Sequence, residues 1–179
     1  MSANDFDADG WDSQWSSAKG RIRFLGAPSG SDQDGAPRPR RTADASVLGG
    51  DVVRRALENP VTVLVNRERA ARGMEPLLDD ERLRRSARAH SADMVRLGYF
   101  DHVAPDGTSP ADRMLAAGFP LPGGENIAFG QPTPEEVVAD WMNSPPHRRN
   151  ILRREFHVIG VGVCVTTLGP MWTQNFGYV

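Results

Sequence analysis

The chain predicts an α+β fold in which helices cover a small antiparallel sheet. Helix-period apolar spacing with capping signals dominates from Asn59 to Gly118 and returns after Thr133, whereas strict apolar alternation appears only late, over residues 158–178. Helices and strands do not alternate regularly, which argues against a parallel α/β sheet.

Residues 1–50 are rich in Asp, Ser, Gly, Pro and Arg and lack a sustained apolar period, a composition that cannot offset the entropy of ordering. They read as a disordered tail ahead of one domain over residues 51–179. Within the tail, Trp11, Trp15 and the apolar patch at residues 22–25 offer docking points, although a flexible leader is the plainer reading. Arg38, Arg40 and Arg41 surround Pro39 with no apolar run after them, unlike a twin-arginine export signal.

Asn59 and Pro60 supply an N-cap and a first helical residue, Val61, Leu64 and Val65 share one face, and Gly73 should end this helix. Asp79 or Asp80 caps a second helix whose Leu83, Ala87, His90, Met94 and Leu97 recur at fours and threes up to Gly98. Ser109-Pro110-Ala111-Asp112 opens a third helix that Gly118 ends. A short strand over residues 126–129 follows, and then Thr133-Pro134-Glu135-Glu136 opens a fourth helix with capping-box spacing. Ile159, Val161, Val163 and Val165 alternate with Gly160, Gly162 and Cys164. Trp172, Gln174, Phe176 and Tyr178 alternate after a Leu168-Gly169-Pro170 turn, so the C-terminus reads as a hairpin with one buried face. Gly160 and Gly162 leave their face bare for a helix or a ligand to approach.

Composition narrows the function. The chain has 179 residues, 39% of them hydrophobic, enough for one well-packed core. A net charge of −2 and a pI near 6.1 provide no global attraction for phosphate backbones, which excludes a simple nucleic-acid binder. Cys164 is the only cysteine, so packing alone must hold the fold, and it reads as an inert buried thiol in the hairpin. The longest apolar run, residues 158–165, is far short of the roughly 20 needed to cross a bilayer, so no transmembrane segment is expected. The acidic, polar start lacks the basic n-region and apolar run of a secretory signal, which favours a cytoplasmic location.

Histidine and carboxylate are the groups that ligate a borderline metal or move protons near neutral pH. His102 lies in a turn past the second helix, and His147 in a turn after Pro145 and Pro146. Glu125 follows Gly123-Gly124 at the start of a strand, where burial would require a partner such as histidine or a loop amide. Each histidine alone also fits a surface or packing role. Ser144, three residues before His147, invites a Ser-His nucleophile, but no Gly-x-Ser-x-Gly elbow surrounds it, and a turn cap is the simpler role. Asn126 and Asn150 read as loop-fixing hydrogen bonders. His90, on an apolar stripe, reads as a core or boundary residue, and His157 as exposed. Arg82, Arg84, Arg85 and Arg88, like Arg148, Arg149, Arg153 and Arg154, read as solvated helix faces with some capacity for phosphate or acidic glycans.

The motifs Leu64-Val65-Asn66-x-x-Arg69, Phe100-x-His102, Gly124-Glu125-Asn126-Ile127-Ala128, Trp141-Met142-Asn143-Ser144, His147-Arg148-x-Asn150-Ile151-Leu152 and Ile159-Gly160-Val161-Gly162-Val163 occur in order across residues 61–179. Together they resemble the CAP superfamily, the cysteine-rich secretory protein, antigen 5 and pathogenesis-related protein 1 group, in its short bacterial form. The resemblance implies an α-β-α sandwich with a central cleft lined by two histidines and two acidic residues. His102, Glu125 and His147 take three of those places, with Asn126, Ser144, Arg148 and Asn150 supporting them. The fourth place, a glutamate soon after the helix tryptophan, has no counterpart, since Met142, Asn143, Ser144 and Pro145 follow Trp141. Pro146 replaces a glycine common in bacterial relatives, and the relatives' disulfides are absent.

Two neutral imidazoles can hold Zn²⁺ or another divalent metal weakly and reversibly, with Glu125 as third ligand or as an acceptor that orients a histidine. The resemblance implies a cleft for a lipid, glycan or peptide, on a monomer, outside the cytoplasm. Two alternatives stand beside this binding module. One is a metal-assisted peptidase or esterase with Glu125 as general base. The other is an interaction protein whose vestigial site only stabilises the fold.

Overall fold

The computed structural model describes residues 45–179; residues 1–44 of the tail, read from the sequence as disordered, with Trp11, Trp15 and the arginines near Pro39, lie outside them, whereas residues 45–50 begin the first helix. The elements in chain order are α1 (Ala45–Ala70), β1 (Leu78–Asp79), α2 (Glu81–Leu97), α3 (Pro110–Ala116), β2 (Pro122–Phe129), α4 (Pro134–Asn143), α5 (Pro145–Ile151), β3 (Val158–Thr166) and β4 (Gly169–Gly177). The sheet order is β1-β3-β4-β2. β1 runs parallel to β3, and the other neighbours are antiparallel.

Alternation along the strands sorts the layers. Ile159, Val161, Val163, Trp172 and Phe176 form one core cluster with Val61 and Val65 of α1, Val137, Val138 and Trp141 of α4 and Ile151 of α5. The opposite face meets α2, where a Cβ on Gly160 or Gly162 would collide with the α2 backbone at Leu83-Arg84 or Ala87-Arg88. Helices therefore cover both faces, an α-β-α sandwich. The hairpin, read from its alternation as having one buried face, is buried on both sides, because a helix, α2, takes the close approach expected at Gly160 and Gly162. The bare face accommodates a helix.

α1 departs from the expected start at Asn59. It begins at Ala45 and carries Pro60 in its interior, where proline removes a helical hydrogen bond. Tertiary bonds hold the preceding turn in place. Glu58, fully buried, accepts from Arg88 at 2.8 and 2.6 Å and from the Val163 amide at 3.2 Å. Asn59 Oδ1 accepts from Arg84 at 2.8 Å instead of capping a helix. Arg84 and Arg88 are thus tied down rather than solvated; Arg84, 4% exposed, also donates to Asp79 at 2.9 Å.

The remaining helix signals act locally. Asp80 caps α2 through the Arg82 and Leu83 amides, and Gly98 closes it with φ 69°. Leu97, placed on the apolar stripe, is half exposed in the last turn. Ser109 and Asp112 form a reciprocal capping box on α3, and Thr133 caps α4 through the Glu136 amide. β2 is longer than expected, starting at Pro122. Two of its carbonyls are occupied by side chains of the covering helices: Asn150 Nδ2 donates to Glu125 O at 3.2 Å and Trp141 Nε1 to Ile127 O at 3.3 Å. Arg69, 1% exposed, donates to the carbonyls of Ile151, Arg153 and Phe156, fixing the far end of α5 against α1. Cys164 is half-buried, and burial raises its thiol pKa. No described helix is long and apolar enough to cross a membrane.

Candidate functional site

Consecutive residues of β2 serve opposite faces of the sheet. Glu125 projects toward the α2 layer and Asn126 toward the α5 layer, so a site built on both straddles the edge strand. Glu125 is 3% exposed and stands opposite Asn175 of β4. Such a carboxylate requires donors, and the fold supplies them.

Gly98 turns the chain out of α2, Tyr99 and Phe100 pack against Met94, Ile127 and Met171, and an Asp101 turn onto the Val103 amide follows. This path delivers His102 Nδ1 to Glu125 Oε1 at 2.7 Å. Arg113, in α3, donates to Glu125 Oε2 at 2.9 Å and to Oε1 at 3.2 Å. With its amide turned to satisfy its neighbours, Asn175 donates to Oε2 at 3.1 Å and accepts from Ser86 Oγ and the Ala87 amide. His90 Nε2, fully buried in α2, lies 3.6 Å from Oε1, and its Nδ1 faces the Tyr99 hydroxyl at 3.3 Å.

Burial works to raise the Glu125 pKa. The His102 hydrogen bond and the charges of His90, His102 and Arg113 outweigh it and hold the carboxyl below its ordinary value. Burial lowers His90 to about 4 against the attraction of Glu125. Burial, aided by the neighbouring charge of His102, lowers His147 to about 4 as well. Near neutral pH the cluster therefore contains an ionised Glu125 and neutral imidazoles at His90 and His147.

His147 is 6% exposed and lies in α5, not in a turn. Pro145 ends α4 but occupies the first turn of the next helix, where its missing amide does no harm. Asn126 and Asn150 knit α5 to β2. Asn126 Nδ2 donates to His147 O at 3.2 Å and to Gln174 Oε1 at 3.0 Å, and Asn150 Nδ2 donates to Asn126 Oδ1 at 2.9 Å. Ser144 links α4 to α5 but makes no side-chain cap on α5. Arg148 is exposed and braces the end of α4 through Met142 O at 3.2 Å.

Arg113, His90 and Asn175 are the members that the sequence reading did not place. His90 carried a signal, since a histidine on an apolar stripe must find a polar partner. Arg113 and Asn175 carried none, because their burial follows from packing between distant elements.

Among the described residues, no three His, Cys, Asp or Glu side chains are grouped so as to hold a metal ion by themselves. The donor chemistry fits a weaker arrangement: two imidazoles, one of them oriented by a carboxylate whose own oxygens are engaged.

The model of the cysteine-rich secretory protein family, CAP, matches residues 63–176. The protein YkwD of Bacillus subtilis (strain 168) is 51% identical over 122 residues, which cover 68% of this chain and 47% of YkwD. The chain thus spans about half the length of that curated relative. An extracellular protein containing an SCP domain from Bacillus anthracis superposes with a TM-score of 0.67 and 29% identity, over 71% of this chain and 42% of that one. An outer surface protein of Borrelia burgdorferi shares the fold, with a TM-score of 0.62 at 21% identity over 67% of this chain and 90% of that one.

Proposed function

The chain belongs to the cysteine-rich secretory protein (CAP) family, and on that premise we propose that it is a binding domain that holds a divalent metal ion reversibly at His102 and His147. Its cleft takes a lipid, glycan or peptide ligand outside the cytoplasm. The extracellular description of the Bacillus anthracis relative supports that location.

The observation that carries the reading is the pair formed by the buried Glu125 and the partly buried His102. An ionised carboxylate can only accept, so at 2.7 Å it holds the Nδ1 hydrogen of His102 and leaves Nε2 as the ligating nitrogen. His147, kept neutral by its burial, is in the protonation state that a metal requires. When bound, the ion supplies a Lewis-acidic point for an oxygen of the ligand. Glu125 suits an orienting role better than that of a general base, since Arg113, His102 and Asn175 occupy its oxygens and depress its basicity. That favours binding over hydrolysis.

Calorimetric titration of the full chain with Zn²⁺ near neutral pH tests this, with His102→Ala and His147→Ala measured beside the wild type. Saturable binding lost in both variants supports one shared site. No binding by the wild type, or binding retained in both variants, overturns it.

A further inference from the structure

We propose that the C-terminal end of α5 and the loop after it form an anion site for a doubly charged phosphate group, held by Arg149, Arg153 and Arg154. The site stands independently of the metal reading above.

These arginines, with Leu152 and Glu155, line a recess of about 460 Å³. Elsewhere Arg72, Arg82, Arg88 and Arg96 each hold a carboxylate oxygen at 2.6 or 2.7 Å. At the recess that matching fails. Arg153 meets Glu155 only at 3.6 Å, and the exposed Arg149 and Arg154 have no ion pair among the described residues. Three guanidinium groups against one carboxylate leave a local charge of +2 in a chain whose net charge is −2. Burial and, after it, the charge of Arg154 lower the pKa of Arg69, so positive charge crowds this end of the molecule. A ligand carboxylate would answer half of that charge. A phosphate monoester or inorganic phosphate carries about −1.5 to −2 near neutral pH, and its oxygens match the fork of a guanidinium.

The plainer role for such arginines is to satisfy the last carbonyls of a helix. That role is already filled. Buried Arg69 reaches across from α1 and donates to Ile151 O and Arg153 O at 2.9 Å and to Phe156 O at 3.2 Å. The Leu152 amide donates to Arg148 O at 2.9 Å and the Arg153 amide to Asn150 O at 3.3 Å. The same bonds fix the backbone that presents Arg153 and Arg154, which lowers the ordering cost of binding. Arg153 is set further by two rings, its guanidinium lying 5.3 Å from the centre of Phe156 and 5.9 Å from that of Tyr178. Stacking uses the face of the guanidinium and leaves its N–H edge for an oxygen.

The test is an NMR titration of the metal-free, ¹⁵N-labelled full chain with inorganic phosphate in zwitterionic buffer, against sodium chloride at matched ionic strength. Shifts at the amides of residues 149–155 should saturate with a Kd of about 1 mM or tighter. Arg149→Gln and Arg154→Gln should each weaken binding about 10-fold, the loss of one charge-assisted hydrogen bond. Both side chains are exposed, so these variants should fold. Glu155→Gln, which removes the opposing charge, should tighten binding, a gain that unfolding cannot imitate. His102→Ala should leave it unchanged. Cosedimentation with phosphatidylcholine vesicles, with and without phosphatidic acid, separates two sources of the phosphate. Binding that needs phosphatidic acid and is lost in the arginine variants assigns a lipid head group, whereas saturable phosphate binding without cosedimentation assigns a free phosphate. No saturation with phosphate, an equal response to chloride, binding kept in both arginine variants or binding lost in His102→Ala overturns the proposal.

Discussion

Glu58 and Arg88 form a two-pronged ion pair in which the carboxylate is wholly buried and the guanidinium partly so, with Asp51 as a second acceptor for Arg88 at 2.6 Å. Because Glu58 also takes the Val163 amide, the pair fastens α1 to both α2 and β3. Glu58→Ala leaves a guanidinium and an amide short of an acceptor. It should destabilise the fold by about 3–5 kcal/mol in urea denaturation, the range for a broken buried pair. A loss below about 1 kcal/mol would mean that the pair is dispensable.

Gly160→Ala and Gly162→Ala should each be far more damaging than their size suggests, because the added carbon meets backbone of α2 rather than a mobile side chain. Loss of more than about 3 kcal/mol, or failure to express as folded protein, is expected. Gly107→Ala, with open space but φ 89°, is the control and should lose only about 1 kcal/mol. Thermal melts of the three variants decide.

Acid should weaken the metal-free fold over a defined window. His90 and His147 titrate near 6.5 when unfolded and near 4 when folded, so between those values the unfolded chain binds more protons. Stability is therefore full above pH 6.5 and falls as the pH drops toward 4, by roughly 2–3 kcal/mol per histidine. Glu125, depressed in the fold, adds a further loss in stronger acid as it is protonated. Melting curves with chelator should show the slope, and His90→Gln should reduce it.

Asn150→Ala should loosen α5 from β2 by removing the donor shared by Asn126 Oδ1 and Glu125 O. A cost of about 1–3 kcal/mol is expected for the acceptors left without it. Because α5 carries His147, Zn²⁺ affinity should fall as well, while the far-UV spectrum stays that of the wild type. Affinity unchanged within error would detach Asn150 from the site.

Much of the fold was legible where the signal is local. Asp80, Ser109 and Thr133 cap their helices through their own neighbours, and the alternation of residues 158–176 records the hairpin directly. Pro60 misled because the bonds that keep it inside a helix come from Arg88 and Val163, 30 and 105 residues from Glu58. Pro145 misled in the opposite sense, since a residue that ends one helix also begins another. At the site, the need of Glu125 for a partner could be read, and histidine was the right kind of partner. That Arg113 shares the carboxylate depends on how α3 docks against β2, which no spacing in the chain encodes.

The occupied carbonyls of β2 have a consequence for crowding. A sheet normally grows at its margins, where unpaired peptide groups can template another chain. Here one margin is the two-residue β1 continued by the rest of β3, whose Val163 amide is bonded to Glu58, and the other has Glu125 O and Ile127 O already bonded to Asn150 and Trp141. An incoming strand would have to displace an asparagine and an indole before it could pair. The contacts that hold α4 and α5 in place therefore also discourage edge-to-edge aggregation, so Asn150 variants should precipitate more readily than their loss of stability alone predicts.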